Sequence, residues 1–118
     1  GFYVTPTVIR ATGQDDPLMR EEAFAGVLSF MPFEDEEQLL HLMNDSSYGL
    51  SASIWTNGFS KAMDLMRRIE AGMVWVNSHT IMAPAVPSCG MKASGIGREF
   101  GSAFIESYTE LKSVIMCY

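Results

Sequence analysis

Apolar residues in this 118-residue chain fall into short blocks separated by polar, turn-forming clusters. Phe2 to Ile9 is aromatic and β-branched but contains Pro6. It predicts an extended edge segment, because proline cannot donate to a ladder. Thr12 to Pro17, with Gly13 and Asp15-Asp16-Pro17, predicts a loop. Met19 to Phe24 carries Arg20-Glu21-Glu22 and predicts a short helical turn or tight bend. Val27 to Pro32 is nearly continuous apolar sequence, the pattern of a strand buried on both faces. Asp35 followed by Gln38 is a capping-box pattern, and Leu39, Leu40 and Met43 continue at helical spacing. That helix should stop at Asn44-Asp45-Ser46-Ser47. Leu50 to Thr56 predicts a second strand, and Asn57-Gly58 a turn able to cap the next helix. Ala62, Met66 and Ile69 give that helix an apolar stripe, with Gly72 suited to its C′ position. Met73 to Val76 predicts a third, wholly apolar strand.

This order of strand, helix, strand, helix, strand leaves crossovers long enough for parallel pairing. Asn77 to Val86 reads as a loop, Glu99 to Tyr108 as a helix with Phe100, Phe104 and Ile105 on its apolar side, and Leu111 to Tyr118 as a final strand. The expected fold class is α/β: a βαβαβ unit with a mainly parallel sheet, plus a C-terminal helix and strand, in a single domain over residues 1–118.

Composition narrows the function. Hydrophobic residues at 47% and charged residues at 19% describe a globular chain rather than a disordered one. A net charge of −6, with scattered Lys and Arg, argues against nucleic acid, whose phosphates demand clustered cations. No apolar run approaches the ~20 residues of a membrane-spanning helix, so no membrane partner is expected. No signal-peptide pattern is visible. Cys89 and Cys117 form neither a disulfide framework nor a Cys-x-x-Cys pair, which points to a reduced, cytoplasmic setting. The nine methionines read first as gap-filling side chains. The chain opens on Gly1-Phe2-Tyr3-Val4, without an initiator methionine, and is expected to be a fragment or a processed product.

The stretch Pro87-Ser88-Cys89-Gly90-Met91-Lys92-Ala93-Ser94-Gly95-Ile96-Gly97-Arg98-Glu99 carries the most chemistry. Gly90 and Gly95 have the separation of a P-loop, but Ile96-Gly97 stands where Lys and Ser/Thr would hold phosphate. Gly95, Gly97 and Gly101 miss the dinucleotide fingerprint by one residue and do not directly follow a strand. Cys89 is a conceivable nucleophile with His79 upstream, but a lone Cys and a lone His are more often packing groups. A Cys89 redox sensor is a weaker reading of the same thiol.

This stretch resembles the Pro-Phe-Gly-Gly-x-Lys-x-Ser-Gly-x-Gly-Arg-Glu signature near the C-terminus of NAD(P)-dependent aldehyde dehydrogenases. Other segments match the same family in order: Gly1-Phe2-Tyr3-Val4-Thr5-Pro6-Thr7, Arg20-Glu21-Glu22-Ala23-Phe24, Asn44 with Tyr48-Gly49-Leu50-Ser51-Ala52, Ala71-Gly72-Met73-Val74-Trp75-Val76-Asn77, and Tyr108-Thr109-Glu110-Leu111-Lys112. The resemblance covers essentially the whole chain and corresponds to the C-terminal quarter of the family's length.

It implies an oxidoreductase in which a cysteine thiolate attacks an aldehyde, hydride passes to NAD or NADP, and a glutamate activates water. The catalytic cysteine's Gly-Gln-x-Cys context is absent here, because Gln14 and Gln38 are the only glutamines and neither precedes a cysteine. The base glutamate and cofactor domain lie upstream in the family, so the chain alone is expected to be inactive and to bind no cofactor. By resemblance, Glu22 hydrogen-bonds the nicotinamide ribose and Phe24 lies beside the nicotinamide. Asn77 to Pro87 matches the aldehyde-tunnel loop, so His79, Ile81 and Met82 are candidate substrate contacts. Ser88 stands where the family usually has a tunnel-lining phenylalanine, and Cys89 where it has glycine. Ala25-Gly26-Val27 likewise departs from the family's Gly-Pro-Val. Lys92, Ser94, Gly95, Gly97, Arg98 and Glu99 fall to bracing the loop. The final strand pairs with a neighbouring subunit in the family, so a homo-oligomer through sheet edges and this strand is expected. The alternative is a non-catalytic truncated module that serves oligomerisation or binds a full-length enzyme.

Overall fold

A computed structural model describes residues 1–118. The chain divides into two compact units, Gly1–Ser47 and Tyr48–Tyr118.

In the first unit, β1 (Thr7–Arg10) and β2 (Val27–Phe30) pair in parallel, Thr7 opposite Val27 through Arg10 opposite Phe30. β1 starts directly after Pro6, which therefore never has to donate to the ladder. Between the strands lies α1 (Pro17–Arg20), one turn long. Asp16 caps it by accepting from the Leu18 N–H, and Pro17 takes the first helical position, where a missing N–H costs nothing. α2 (Glu36–Asn44) follows β2. Asp35 accepts from the Gln38 N–H at 2.8 Å, as the capping pattern predicts. The Gln38 amide reaches one residue further back than a capping box requires, accepting from the N–H of Glu34. Arg20 joins the two helix ends, pairing with Asp15 at 3.1 Å and Asp45 at 2.7 Å. Ala11 and Leu40 are the buried apolar side chains of this unit.

The second unit contains β3 (Tyr48–Gly49), β4 (Ser51–Ile54), α3 (Phe59–Arg68), β5 (Met73–Val76), β6 (Met91–Lys92) and α4 (Ala103–Glu106). β4 and β5 pair in parallel across the α3 crossover, and β3 and β6 pair antiparallel. Ile54, Ala62, Leu65 and Ile69 are buried and form this unit's core. The α/β class with mainly parallel pairing thus holds. β2 takes its partner from β1 and β4 from β5, so each parallel ladder is two-stranded.

Four local expectations need correction. The buried residues of α3 are Ala62 and Leu65, with Ile69 buried just past its end, and Met66 faces outward. Gly72 is not the helix C′ residue: the helix stops at Arg68, with Ile69 already extended. Its lack of a side chain matters for another reason, because a Cβ there would lie 2.0 Å from the Cys89 carbonyl oxygen. The helix expected over 99–108 shrinks to Ala103–Glu106, because Phe100 (φ 61°) and Gly101 (φ 60°) are left-handed and break its start. Finally, Leu111–Tyr118 forms no strand. Strand geometry is held by pairing, and no ladder in the chain includes this segment. No helix is long and apolar enough to cross a membrane.

Candidate functional site: an apolar cavity beside β5

The site begins where β5 ends. Asn77 adopts φ 51°, a left-handed conformation that Asn tolerates better than most residues. Its side chain clasps one residue twice: Oδ1 accepts from the Thr56 N–H at 2.9 Å, and Nδ2 donates to the Thr56 carbonyl at 2.9 Å. This turn throws the chain out of the sheet into residues 78–88. A second left-handed residue, Thr80 (φ 57°), bends it back. The Trp75 indole N–H then donates to the Ile81 carbonyl at 2.9 Å, fixing the loop against the strand. His79 Nδ1 lies 2.7 Å from Ser53 Oγ, and the His79 ring meets Trp75 edge-on at 5.3 Å between centroids.

The other end of the loop is held by backbone. Ser88 N–H donates to the Glu99 carbonyl at 2.7 Å, and Glu99 N–H returns to the Ser88 carbonyl at 2.9 Å. The Ser88 hydroxyl is thereby aimed at Met73 Sδ, 3.3 Å away. The Cys89 thiol donates to the Gly72 carbonyl at 3.3 Å, and both cysteines of the chain are unbridged. Further along, Ser94 Oγ accepts from the Gly49 N–H at 2.9 Å, and Lys92 pairs with Glu70 at 2.7 Å. The glycine-rich stretch is thus tied to Gly72 and Met73 at its start and to β3 and Glu70 in its middle, and its end closes back on Ser88.

Strand and loop border a half-open cavity of about 390 Å³ whose wall includes Met73, Trp75, Ile81, Met82, Val86 and Ser88. No ionisable side chain lines it. The hydroxyls of Ser78 and Ser88 and the indole N–H of Trp75 are its polar side-chain groups. It is built to receive an uncharged, largely apolar group rather than to attack one.

Three of the residues expected at the substrate, Ile81, Met82 and Ser88, meet in this wall. His79 does not line it and stands beside Trp75. Glu22 and Phe24 belong to the first unit, in the extended stretch after α1. Both are solvent-facing, Phe24 at 94% exposure. Sequence reasoning missed Trp75 and Met73 as wall residues, because a wholly apolar strand reads as core on both faces. The available signal was the indole N–H, which needs an acceptor and finds it in the loop.

Comparison with known proteins gives the family. The model of the aldehyde dehydrogenase family matches residues 1–114. The chain belongs to that family. It is 44% identical to a phenylacetaldehyde dehydrogenase of Pseudomonas fluorescens, over the whole of this chain and 24% of the relative. It is 40% identical to a betaine aldehyde dehydrogenase of Rhizobium etli, over 97% of this chain and 23% of that protein. Among solved structures, an NAD+ complex of aldehyde dehydrogenase from Bacillus cereus superposes with a TM-score of 0.91 and 39% identity, covering 97% of this chain and 23% of the other. An indole-3-acetaldehyde dehydrogenase of P. syringae, in complex with NAD+ and IAA, gives 0.89 and 38%, over 95% and 23%. The chain therefore spans about a quarter of the length of the relatives it matches.

Proposed function

We propose that this chain is the C-terminal portion of an NAD(P)-dependent aldehyde dehydrogenase, oxidising aldehyde to carboxylic acid, and that it supplies one wall of the aldehyde passage. The observation that carries this reading is the convergence of Ile81, Met82 and Ser88 on one apolar cavity without an ionisable group. In that role the wall excludes water and orients the organic part of the aldehyde. The reacting thiolate and base come from residues outside these 118.

Glu22 and Phe24 fit a nucleotide. Glu22 offers an exposed carboxylate able to accept from a ribose hydroxyl, and Phe24 offers an exposed planar face. When bound, NAD or NADP takes up the hydride. Without the rest of the enzyme the chain retains no cofactor of its own and is catalytically silent. Oligomerisation through the C-terminal segment is part of the reading: Leu111, Ile115 and Tyr118 are fully or almost fully exposed at 105%, 90% and 113%, and no ladder includes them. Two unbridged cysteines suit a reduced cytoplasm.

Purified chain mixed with NAD+ and phenylacetaldehyde should give no nucleotide reduction above a protein-free control. The reading frame upstream of Gly1 should encode a Gly-Gln-x-Cys segment. Aldehyde oxidation by the chain alone would overturn its assigned role, and so would a frame that starts immediately before Gly1.

A further inference from the structure

The turn between β4 and α3 carries chemistry that neither the cavity nor the family resemblance uses. We propose that Asn57 is a self-modification site: the Gly58 backbone nitrogen displaces its side-chain ammonia, leaving aspartate or isoaspartate at the entry to α3. The proposal is independent of the role assigned to the cavity.

The chain has three asparagines, and the fold treats each differently. Asn44 is the last residue of α2, and the next backbone nitrogen, that of Asp45, donates to the His41 carbonyl at 2.9 Å. Asn77 has its side-chain amide held at both ends by Thr56, and Ser78 follows it with a Cβ. Asn57 faces solvent at a bend outside any helix or strand, and the residue after it is glycine. Because Gly58 has no Cβ, no side chain on it hinders the approach of its nitrogen to the Asn57 side-chain carbon. Gly58 is extended at φ −90° and ψ 103°, and as the N-cap residue its N–H lies outside the helical ladder. That N–H is held by the Thr56 hydroxyl at 3.1 Å, in an exposed bond.

The step needs water alone. The Gly58 nitrogen gives up its proton and bonds to Asn57 Cγ; the Cγ–Nδ2 bond breaks, and ammonia leaves with that proton. The resulting cyclic imide takes up a water molecule. Opening at Cγ restores the ordinary main chain with an aspartate. Opening at the main-chain carbonyl carbon routes the chain through the side chain and gives isoaspartate. No oxidant or reductant is consumed.

The two products act on α3 in opposite directions. α3 has no side-chain cap and no acidic residue in its first turn, where Lys61 stands. A carboxylate at position 57 supplies the negative charge that a helix N-terminus favours. Isoaspartate instead lengthens the main chain by a methylene between Thr56 and Gly58. That displaces the Gly58 carbonyl, which accepts from the Ala62 N–H at 3.0 Å, and shifts Thr56, which the Asn77 side chain clasps. Ala62 is buried, so the disturbance reaches the second unit's core.

The test incubates the full 118-residue chain at mildly alkaline pH, with circular dichroism confirming the fold, and follows each asparagine by peptide mass spectrometry. Labelling by an isoaspartate methyltransferase tells the two products apart. We expect Asn57 to lose its amide at least about tenfold faster than Asn44 or Asn77. Unfolding in urea should alter the Asn57 rate by less than about threefold, because the fold does not shield it. Gly58→Ala fits sterically, its Cβ meeting Lys61 Cβ at 3.4 Å and Thr56 Oγ1 at 3.6 Å, and should slow conversion at least about fivefold. Asn57→Asp should unfold about 1–4 °C above the parent chain, and the isolated isoaspartate form about 3 °C or more below it. Conversion of Asn57 no faster than that of Asn77, or undiminished in a folded Gly58→Ala chain, would overturn the modification site. So would a folded chain that protects Asn57 more than about tenfold relative to urea. If Asn57→Asp unfolds below the parent, or the isoaspartate form matches it, the opposite effects on α3 are refuted.

Discussion

The turn at Asn77 is the joint on which the cavity loop hangs, and its energetics can be worked out from its geometry. Asn77→Ala removes both hydrogen bonds to Thr56, each 2.9 Å long and solvent-accessible. Exposed bonds of this kind contribute about 0.5–1 kcal/mol each, so their loss costs about 1–2 kcal/mol. The substitution also places a Cβ without a compensating amide at φ 51°. A left-handed alanine costs about 1–2 kcal/mol on its own. Some of that strain is already present with Asn, so the total for Asn77→Ala should be about 2–3 kcal/mol. Asn77→Gly loses the same bonds but not the backbone cost. Glycine's greater freedom in the unfolded chain offsets about 0.4–1 kcal/mol of that relief. Asn77→Gly should therefore be milder than Asn77→Ala by about 0.5–1 kcal/mol. Urea unfolding followed by Trp75 fluorescence, in the Trp55→Phe background, measures both. A loss below about 0.5 kcal/mol for Asn77→Ala would refute the clasp, and Asn77→Gly proving worse than Asn77→Ala would refute the strain argument.

Two further outcomes are expected. Gly72→Ala puts its Cβ 2.0 Å from the Cys89 oxygen and 2.8 Å from its sulfur, forcing the backbone at the cavity's edge to move; thermal unfolding should show a loss of at least about 1–3 kcal/mol, the usual cost of overpacking. Asp16 holds its carboxyl below the usual carboxylate range, first through the Leu18 N–H and then through Thr12. A group depressed in the folded state stabilises above its unfolded pKa of about 3.9 and loses that contribution as pH falls through the lower folded value. Asp16→Asn should accordingly flatten that part of the acid limb of the stability–pH curve, and an unchanged limb would count against the cap.

Much of the fold was legible because its signals are local. Asp35 and Gln38 announce α2, and the apolar runs at Val27 and Met73 announce their strands. What escaped is non-local. The pairing of Tyr48–Gly49 with Met91–Lys92 is a two-residue ladder with no periodicity to detect. Gly72 has the spacing of a helix cap, and only the approach of Cys89 shows why a side chain is forbidden there. Leu111–Tyr118 has strand composition but no partner ladder. In the site, Ile81, Met82 and Ser88 were reached by family resemblance, whereas Trp75 became visible through one hydrogen bond made at the loop. Nothing in the sequence at Phe100 foretold the left-handed residue that shortens α4.

The small β3–β6 ladder bears on the order in which the chain acquires its shape. Met73 pairs with Ser51 across 73 − 51 = 22 positions, and Lys92 with Tyr48 across 92 − 48 = 44. Doubling the loop raises the entropic cost of closure by only about 0.6 kcal/mol. The return differs more: the shorter closure aligns four residue pairs, the longer only two. The parallel pair and α3 therefore assemble first, and the β3–β6 ladder is stitched on afterwards. The same asymmetry runs in reverse during native-state fluctuations. Amide protons at Tyr48, Gly49, Met91 and Lys92 should exchange with solvent sooner than those of β4 and β5, so the middle of the glycine-rich stretch can lift away while the parallel pair stays closed.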